Sequence, residues 1–205
     1  MFISATNIRQ LIDSPTPIIS PCDRSFIEGN FYDLRLDEVF VTKHDSFQSF
    51  IGQNKRSLPE IQPLRPIQPE HITARLEVKD NVYRLYPGFY LASTVETITP
   101  PRWLLALLDE RTSMFRGGAI VKCTKIPHGY SGVITSAIHV PEDCVFTLEK
   151  GGRFLSVCFA LSVTLKLDDN YEPVMPLQMS LDGGDEYSGI WSNDKITTNG
   201  IERAY

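Results

Sequence analysis

The sequence predicts a mainly β domain of the sandwich or barrel type with one short helix at its start. Three observations predict it. Apolar and polar residues alternate from Phe31 through Val41 as a half-buried strand requires. Segments rich in aromatic and β-branched residues are cut by turn signals, Pro87-Gly88, HGYSG, PEDC and EKGG, at the spacing of short antiparallel strands. A short helical period of apolar residues is read near the N-terminus. The 205 residues, 42% hydrophobic and 22% charged, suffice for a buried core, and a single domain over 1–205 is expected.

In chain order, Ile8, Leu11 and Ile12 fall at helical spacing behind Ser4 and Thr6, either of which can cap a first turn. Pro15 and Pro17 end that helix. Between about residues 43 and 75 the chain is polar and carries Pro59, Pro63, Pro66 and Pro69, which forbids regular helix and restricts strand to sheet edges. This is read as a long excursion from the domain, with a lid, an arm around a neighbouring subunit and a mobile insertion left open. VYRLYPGFYLASTVETITP then reads as strand, tight Pro87-Gly88 turn and strand. Leu104 to Leu108 fits a buried strand or a helical turn, and Gly117-Gly118 breaks the chain before the strand AIVKCT.

Composition removes several functions. A net charge of -5 gives no global attraction to phosphate, so direct nucleic-acid binding is not expected and any anion must meet a local basic pocket. No apolar run reaches the ~20 residues that span a bilayer, and MFISATNIRQ lacks the pattern of a secretory signal. The expectation is a cytoplasmic protein without a membrane partner. Cys22, Cys123, Cys144 and Cys158 form no CxxC pair, so reduced structural thiols and no metal site are expected.

Three stretches carry a resemblance. NFYDLRL begins at Asn30, RLYPGFYLASTVETITPP runs from Arg84 to Pro101, and DERTSMFRGG is followed by IPHGYSG and KGGRFLSVCFA. In this order and spacing they resemble the dCTP deaminases and, more distantly, the homotrimeric dUTPases. The resemblance implies a distorted jelly-roll β-barrel of the dUTPase/dCTP deaminase type and a homotrimer with active sites between subunits. It also implies hydrolytic chemistry on a pyrimidine deoxynucleoside triphosphate, nominally dCTP plus water to dUTP plus ammonia. No cofactor is assigned, and Mg²⁺ accompanying the triphosphate is left open.

Residue by residue, Arg111, Thr112, Ser113 and Arg116 match the family's phosphate-binding segment, where a guanidinium fork and hydroxyls can meet one phosphate chain. The alternative for both arginines is an ordinary ion pair. Tyr130 matches an aromatic position beside the sugar, with a turn aromatic as its alternative. The general-base glutamate of the deaminases falls at Ala137, which has no ionisable group. Ser136 lies on the opposite strand face by parity and His139 two residues further along. His128 and Glu142 remain as weak candidates for the base, and the dUTPase aspartate falls at Pro127. In DEYSGI, Tyr187 and Gly189 match a nucleotide-closing tail, while Glu186 and Ile190 stand where a phosphate-binding Lys and a base-reading Gln are expected. The expectation is a dCTP deaminase-like protein with impaired catalysis, the alternative a catalytically silent nucleotide-binding or regulatory protein.

Overall fold

The computed structural model describes residues 2–42, 50–51, 56–57, 61–65, 81–162, 195–198 and 201–204. Helix α1 (Ala5–Ile12) starts at Ser4, whose hydroxyl accepts the Asn7 N–H while the Asn7 side chain returns to the Ser4 N–H. That reciprocal cap selects Ser4 over Thr6 as the start. Ile8 and Ile12 are buried and Leu11 packs beside them, as the spacing required.

Strands β1 (Ile19–Ser20), β2 (Ile27–Glu28) and β3 (Phe31–Thr42) follow, with β4 (Phe50–Ile51), β5 (Arg56–Ser57) and β6 (Ile61–Pro63) inside the proline-rich excursion. Next come β7 (Val82–Leu85), β8 (Gly88–Ile98), β9 (Leu104–Glu110) and the short helix α2 (Thr112–Arg116). Strands β10 (Ile120–Lys122), β11 (Lys125–Ile126), β12 (Gly132–Val140), β13 (Phe146–Glu149) and β14 (Arg153–Leu161) complete the body. Beyond it, β15 (Lys195–Thr198) and β16 (Ile201–Ala204) pair with each other. No described helix is long and apolar enough to cross a membrane.

The main sheet runs β10-β12-β8-β3-β14-β9-β11, every neighbour antiparallel. Strand β3 makes the corner. Its first half pairs with β14 from Tyr32 to Arg35, and its second half with β8 from Leu36 to Val41. Register shifts lie on both sides of this exchange, between Arg153 and Leu155 and between Leu36 and Val39. A strand that changes partners through bulges folds one sheet onto itself, and the result is the mainly β, jelly-roll-type curl expected from sequence. Tyr32, Leu34, Leu36, Ile98, Ile138, Leu155 and Phe159 fill the space inside.

One sequence expectation changes and one open alternative is decided. The Pro87-Gly88 turn does not close a hairpin, because β7 pairs with β13 rather than β8, so it is a corner between two sheets. Leu104 to Leu108, which fitted a strand or a helical turn, lies in strand β9, and a helical turn forms just beyond it as α2. Within the excursion, β6 pairs with the end of β3, with Pro63 opposite Phe40, in keeping with proline's restriction to edges.

Candidate functional site

Helix α2 follows directly from the end of β9. The Arg111 N–H donates to the Phe154 carbonyl at 3.2 Å, and the Arg111 carbonyl accepts from Met114 at 2.8 Å. Met114 is buried and anchors the turn, which leaves Thr112, Ser113, Phe115 and Arg116 exposed. Gly117 ends it where a methyl group would collide with the Phe146 ring. The preceding Glu110 reaches sideways and accepts the Val121 N–H at 3.0 Å, tying the end of β9 to β10.

Through β10 this segment is joined to the second half of β12. Lys122 lies opposite Ala137 and Ile120 opposite His139; Ala137 is in turn opposite Leu91 and His139 opposite Phe89. Ser136 is buried, with its hydroxyl unpartnered, whereas Ala137 is half-buried and His139 exposed on the other face. The parity inferred from sequence is therefore the one the strand adopts. A register shift does occur between Val133 and Thr135, but the extra residues are in β8, so the count from Gly132 to Ala137 follows regular strand. Thr94 accepts the Ile134 N–H at 2.9 Å and repairs the interrupted ladder. Glu142 is exposed just beyond the end of β12.

Arg111 is not an isolated cation. Its Nε is 3.0 Å from Asp33 Oδ2 and its Nη2 is 3.7 Å from Glu28 Oε2. The same Asp33 oxygen is 3.2 Å from Arg153 Nη1, and Asp33 Oδ1 accepts from the Ser156 hydroxyl at 2.8 Å. The ion-pair alternative is thus realised for Arg111. Arg116 is exposed and makes no ion pair among the described residues. A second buried carboxylate, Glu96, binds Arg35 through Nε at 2.6 Å and through the backbone N–H at 2.8 Å.

Tyr130 and His128 lie elsewhere. Ile126 pairs with Ala106, so the turn that follows sits at the Leu104 end of β9, while Arg111 follows the opposite end. Seven residues of strand separate them, about 20 Å at a rise of ~3.3 Å per residue. The Tyr130 hydroxyl donates to the Val133 carbonyl at 2.7 Å and closes its own turn. A methyl on Gly132 would stand 2.9 Å from that hydroxyl, so glycine there lets the ring fold back. His128 is half-buried with Nε2 unpartnered. Tyr187, Glu186, Gly189 and Ile190 lie outside the described residues.

Sequence reasoning missed Asp33, Glu28, Arg153, Arg35 and Glu96. A weak signal was present: Asp33 in NFYDLRL and Glu96 in TVETI are acidic residues inside apolar strands, where a carboxylate persists only with partners. The partners come from strands more than 60 positions away in sequence, which no local pattern names.

Comparison with known proteins agrees with this architecture. Among curated relatives, the dUMP-forming dCTP deaminase of Pseudarthrobacter chlorophenolicus is 30% identical over 163 residues, covering 78% of this chain and 79% of the relative. The enzyme so named from Streptomyces avermitilis is 32% identical over 167 residues, covering 79% and 81%. The 2'-deoxycytidine 5'-triphosphate deaminase of Agrobacterium tumefaciens superposes with a TM-score of 0.55 at 16% identity, covering 81% of this chain and 50% of that one, which shows the shared dUTPase-like fold. The family model for dCTP deaminase-like proteins matches residues 2–162. The chain belongs to the dCTP deaminase-like family.

Proposed function

We propose that this chain binds a pyrimidine deoxynucleoside triphosphate through Arg111, Thr112, Ser113 and Arg116, and that its deamination of dCTP is impaired. The observation that carries the reading is the surface formed by α2, β10 and β12. Exposed hydroxyls on α2 and a guanidinium there with no ion pair among the described residues follow β9, whose Glu110 is tied to β10, which pairs with the β12 position where the deaminase base is expected and a methyl stands. Attack of water on the cytosine ring needs a group that takes the water's proton and passes it toward the departing amine. The carboxylates beside Arg111 do not suit that task. Asp33 is buried, with both oxygens engaged by Arg111, Arg153 and Ser156, and Glu28 is an exposed partner of the Arg111 fork. Pro127 likewise offers no carboxylate for hydrolysis of the phosphate chain.

A homotrimer fits the same geometry. Tyr130 and Arg111 lie at opposite ends of β9, so a site using both needs a second copy of the chain, as the family resemblance implies. Mg²⁺ enters this reading as the counter-ion of the triphosphate. A role in pyrimidine deoxynucleotide metabolism fits a cytoplasmic location and the activity by which the relatives are named.

The test pairs binding with turnover. The melting temperature of the purified protein, scanned over deoxynucleoside and nucleoside triphosphates with and without Mg²⁺, is expected to rise with a pyrimidine deoxynucleotide by mass action. Ammonia release from dCTP is expected to be very slow or undetectable, since loss of a positioned base typically costs about 10²- to 10⁴-fold in rate. Robust ammonia release overturns the impairment. Absence of any shift with every nucleotide overturns the site.

A further inference from the structure

We infer that Asp33 is a positioning residue that aims the Arg111 guanidinium outward, and that Glu28 holds the outer end of that guanidinium until a phosphate displaces it. The inference rests on the phosphate-binding reading of α2 and deepens it.

Asp33 sits on β3, 2% exposed, opposite Ser156 of β14, and Ser156 is opposite Asp109 of β9. Strand β14, between β3 and β9, thus supplies two partners of the Asp33 carboxylate, and the end of β9 leads directly to the third. The Ser156 hydroxyl holds Oδ1, while Oδ2 takes Arg153 Nη1 and Arg111 Nε. Fastening Arg111 by Nε leaves the paired Nη groups of the planar fork pointing away from Asp33, the edge that can meet a phosphate with two parallel hydrogen bonds. The group at that edge is Glu28, 3.7 Å from Nη2 with its side chain 75% exposed. A contact this long and this hydrated is weak. An incoming phosphate exchanges with Glu28 and not with Asp33, whose carboxylate is buried and already holds three donors.

Charge counting supports the exchange. Arg111 and Arg153 carry two positive charges against the two negative charges of Asp33 and Glu28, so the resting cluster is neutral. Once Glu28 leaves, two positive charges face one negative, and the cluster offers one net positive charge to the anion.

The count also yields a test of opposite sign. Asp33→Asn raises the cluster charge by one. If Asp33 only balances charge, affinity for an anion increases; if it aims Arg111, affinity falls. Titration calorimetry with dCTP and with inorganic tripolyphosphate is expected to show Asp33→Asn weakened about 10-fold or more, as loss of a charge-assisted pair implies. Glu28→Gln is expected to bind about 2- to 5-fold more tightly, the range of an exposed ion pair. Ile19→Ala, a buried core residue of β1 that pairs with the Ile98 end of β8, serves as the stability control, with a lower melting temperature and affinity within about threefold of wild type.

Should Asp33→Asn fail to fold, Arg111→Lys decides. Lysine keeps the charge but spends its single ammonium on Asp33, so binding is expected to fall as far as in Arg111→Met. Binding by Arg111→Lys within about threefold of wild type, or tighter binding by Asp33→Asn, overturns the positioning role. Glu28→Gln that binds no better than wild type overturns the exchange. If wild type binds tripolyphosphate and Arg111→Met binds it equally well, the phosphate reading itself fails, and the role of Asp33 with it.

Discussion

Removing the carboxylate of Glu96 is expected to destabilise the protein more than any surface change, and the structure sets the size. The Glu96 side chain is 0% exposed and makes two hydrogen bonds to one residue, at 2.6 Å from Arg35 Nε and 2.8 Å from the Arg35 backbone N–H. It thereby ties the irregular stretch of β8 to β3. In Glu96→Gln the amide presents one oxygen and one NH₂, so in either orientation a donor meets a donor. One hydrogen bond to a charged group, about 1.5–3 kcal/mol, is lost and a buried donor is left with a penalty of about 1–3 kcal/mol. The Arg35 side chain is 27% exposed and its guanidinium stacks 5.4 Å from the Phe26 ring centroid, so water and the ring recover part of this. A net loss of about 3 kcal/mol remains. For a chain of this size that lowers the melting temperature by about 6–12 °C. Scanning calorimetry of wild type and Glu96→Gln at equal protein concentration measures it, in low salt and in ~1 M salt, because a buried pair is screened far less than a surface pair. A shift below about 2 °C, or one that vanishes in high salt, refutes the reasoning.

Other expectations are independent of that one. Burial pushes the Tyr32 phenol up to about 12 and the Cys123 thiol up to about 12, the latter helped by Asp109 and Glu110. Both groups ionise more easily unfolded, so the stability they contribute is complete below pH 9 and is lost as pH rises through about 12; a denaturant titration from pH 8 to 11 that shows no decline refutes this. Cys22 is exposed while burial raises the Cys123 thiol, so alkylation followed by mass spectrometry is expected to label Cys22 first and Cys123 last among the four. Ala137→Glu places a carboxylate opposite Lys122, a cross-strand pair worth about 0.2–1 kcal/mol, so the variant is expected to fold with near-wild-type stability and to release more ammonia from dCTP than wild type. A large fall in melting temperature would show that this face is more tightly covered than the chain alone provides. Gly117→Ala drives a methyl into the Phe146 ring and is expected to cost about 1–3 kcal/mol of stability by overpacking, read as a lower urea midpoint.

Sequence alone determined the elements whose signals are local. The alternation from Phe31, the helical spacing of Ile8 and Ile12, and the turns at Gly129 and Gly151, where φ is positive, depend on neighbours a few residues away, and side-chain period and backbone sterics write such features directly into the chain. The face of Ala137 was legible for the same reason, since parity along a strand is a local count. Tertiary structure decided how those pieces meet. It made β7 the partner of β13, not of β8, and curled the sheet at β3. It placed Tyr130 and Arg111 at opposite ends of β9, and it brought Arg111 from beyond β9 and Arg153 and Ser156 from β14 onto the buried carboxylate of Asp33 on β3. A buried charge is stable only beside its counter-charges, and those are supplied by the order of strands in the sheet, a property that no stretch of sequence holds by itself.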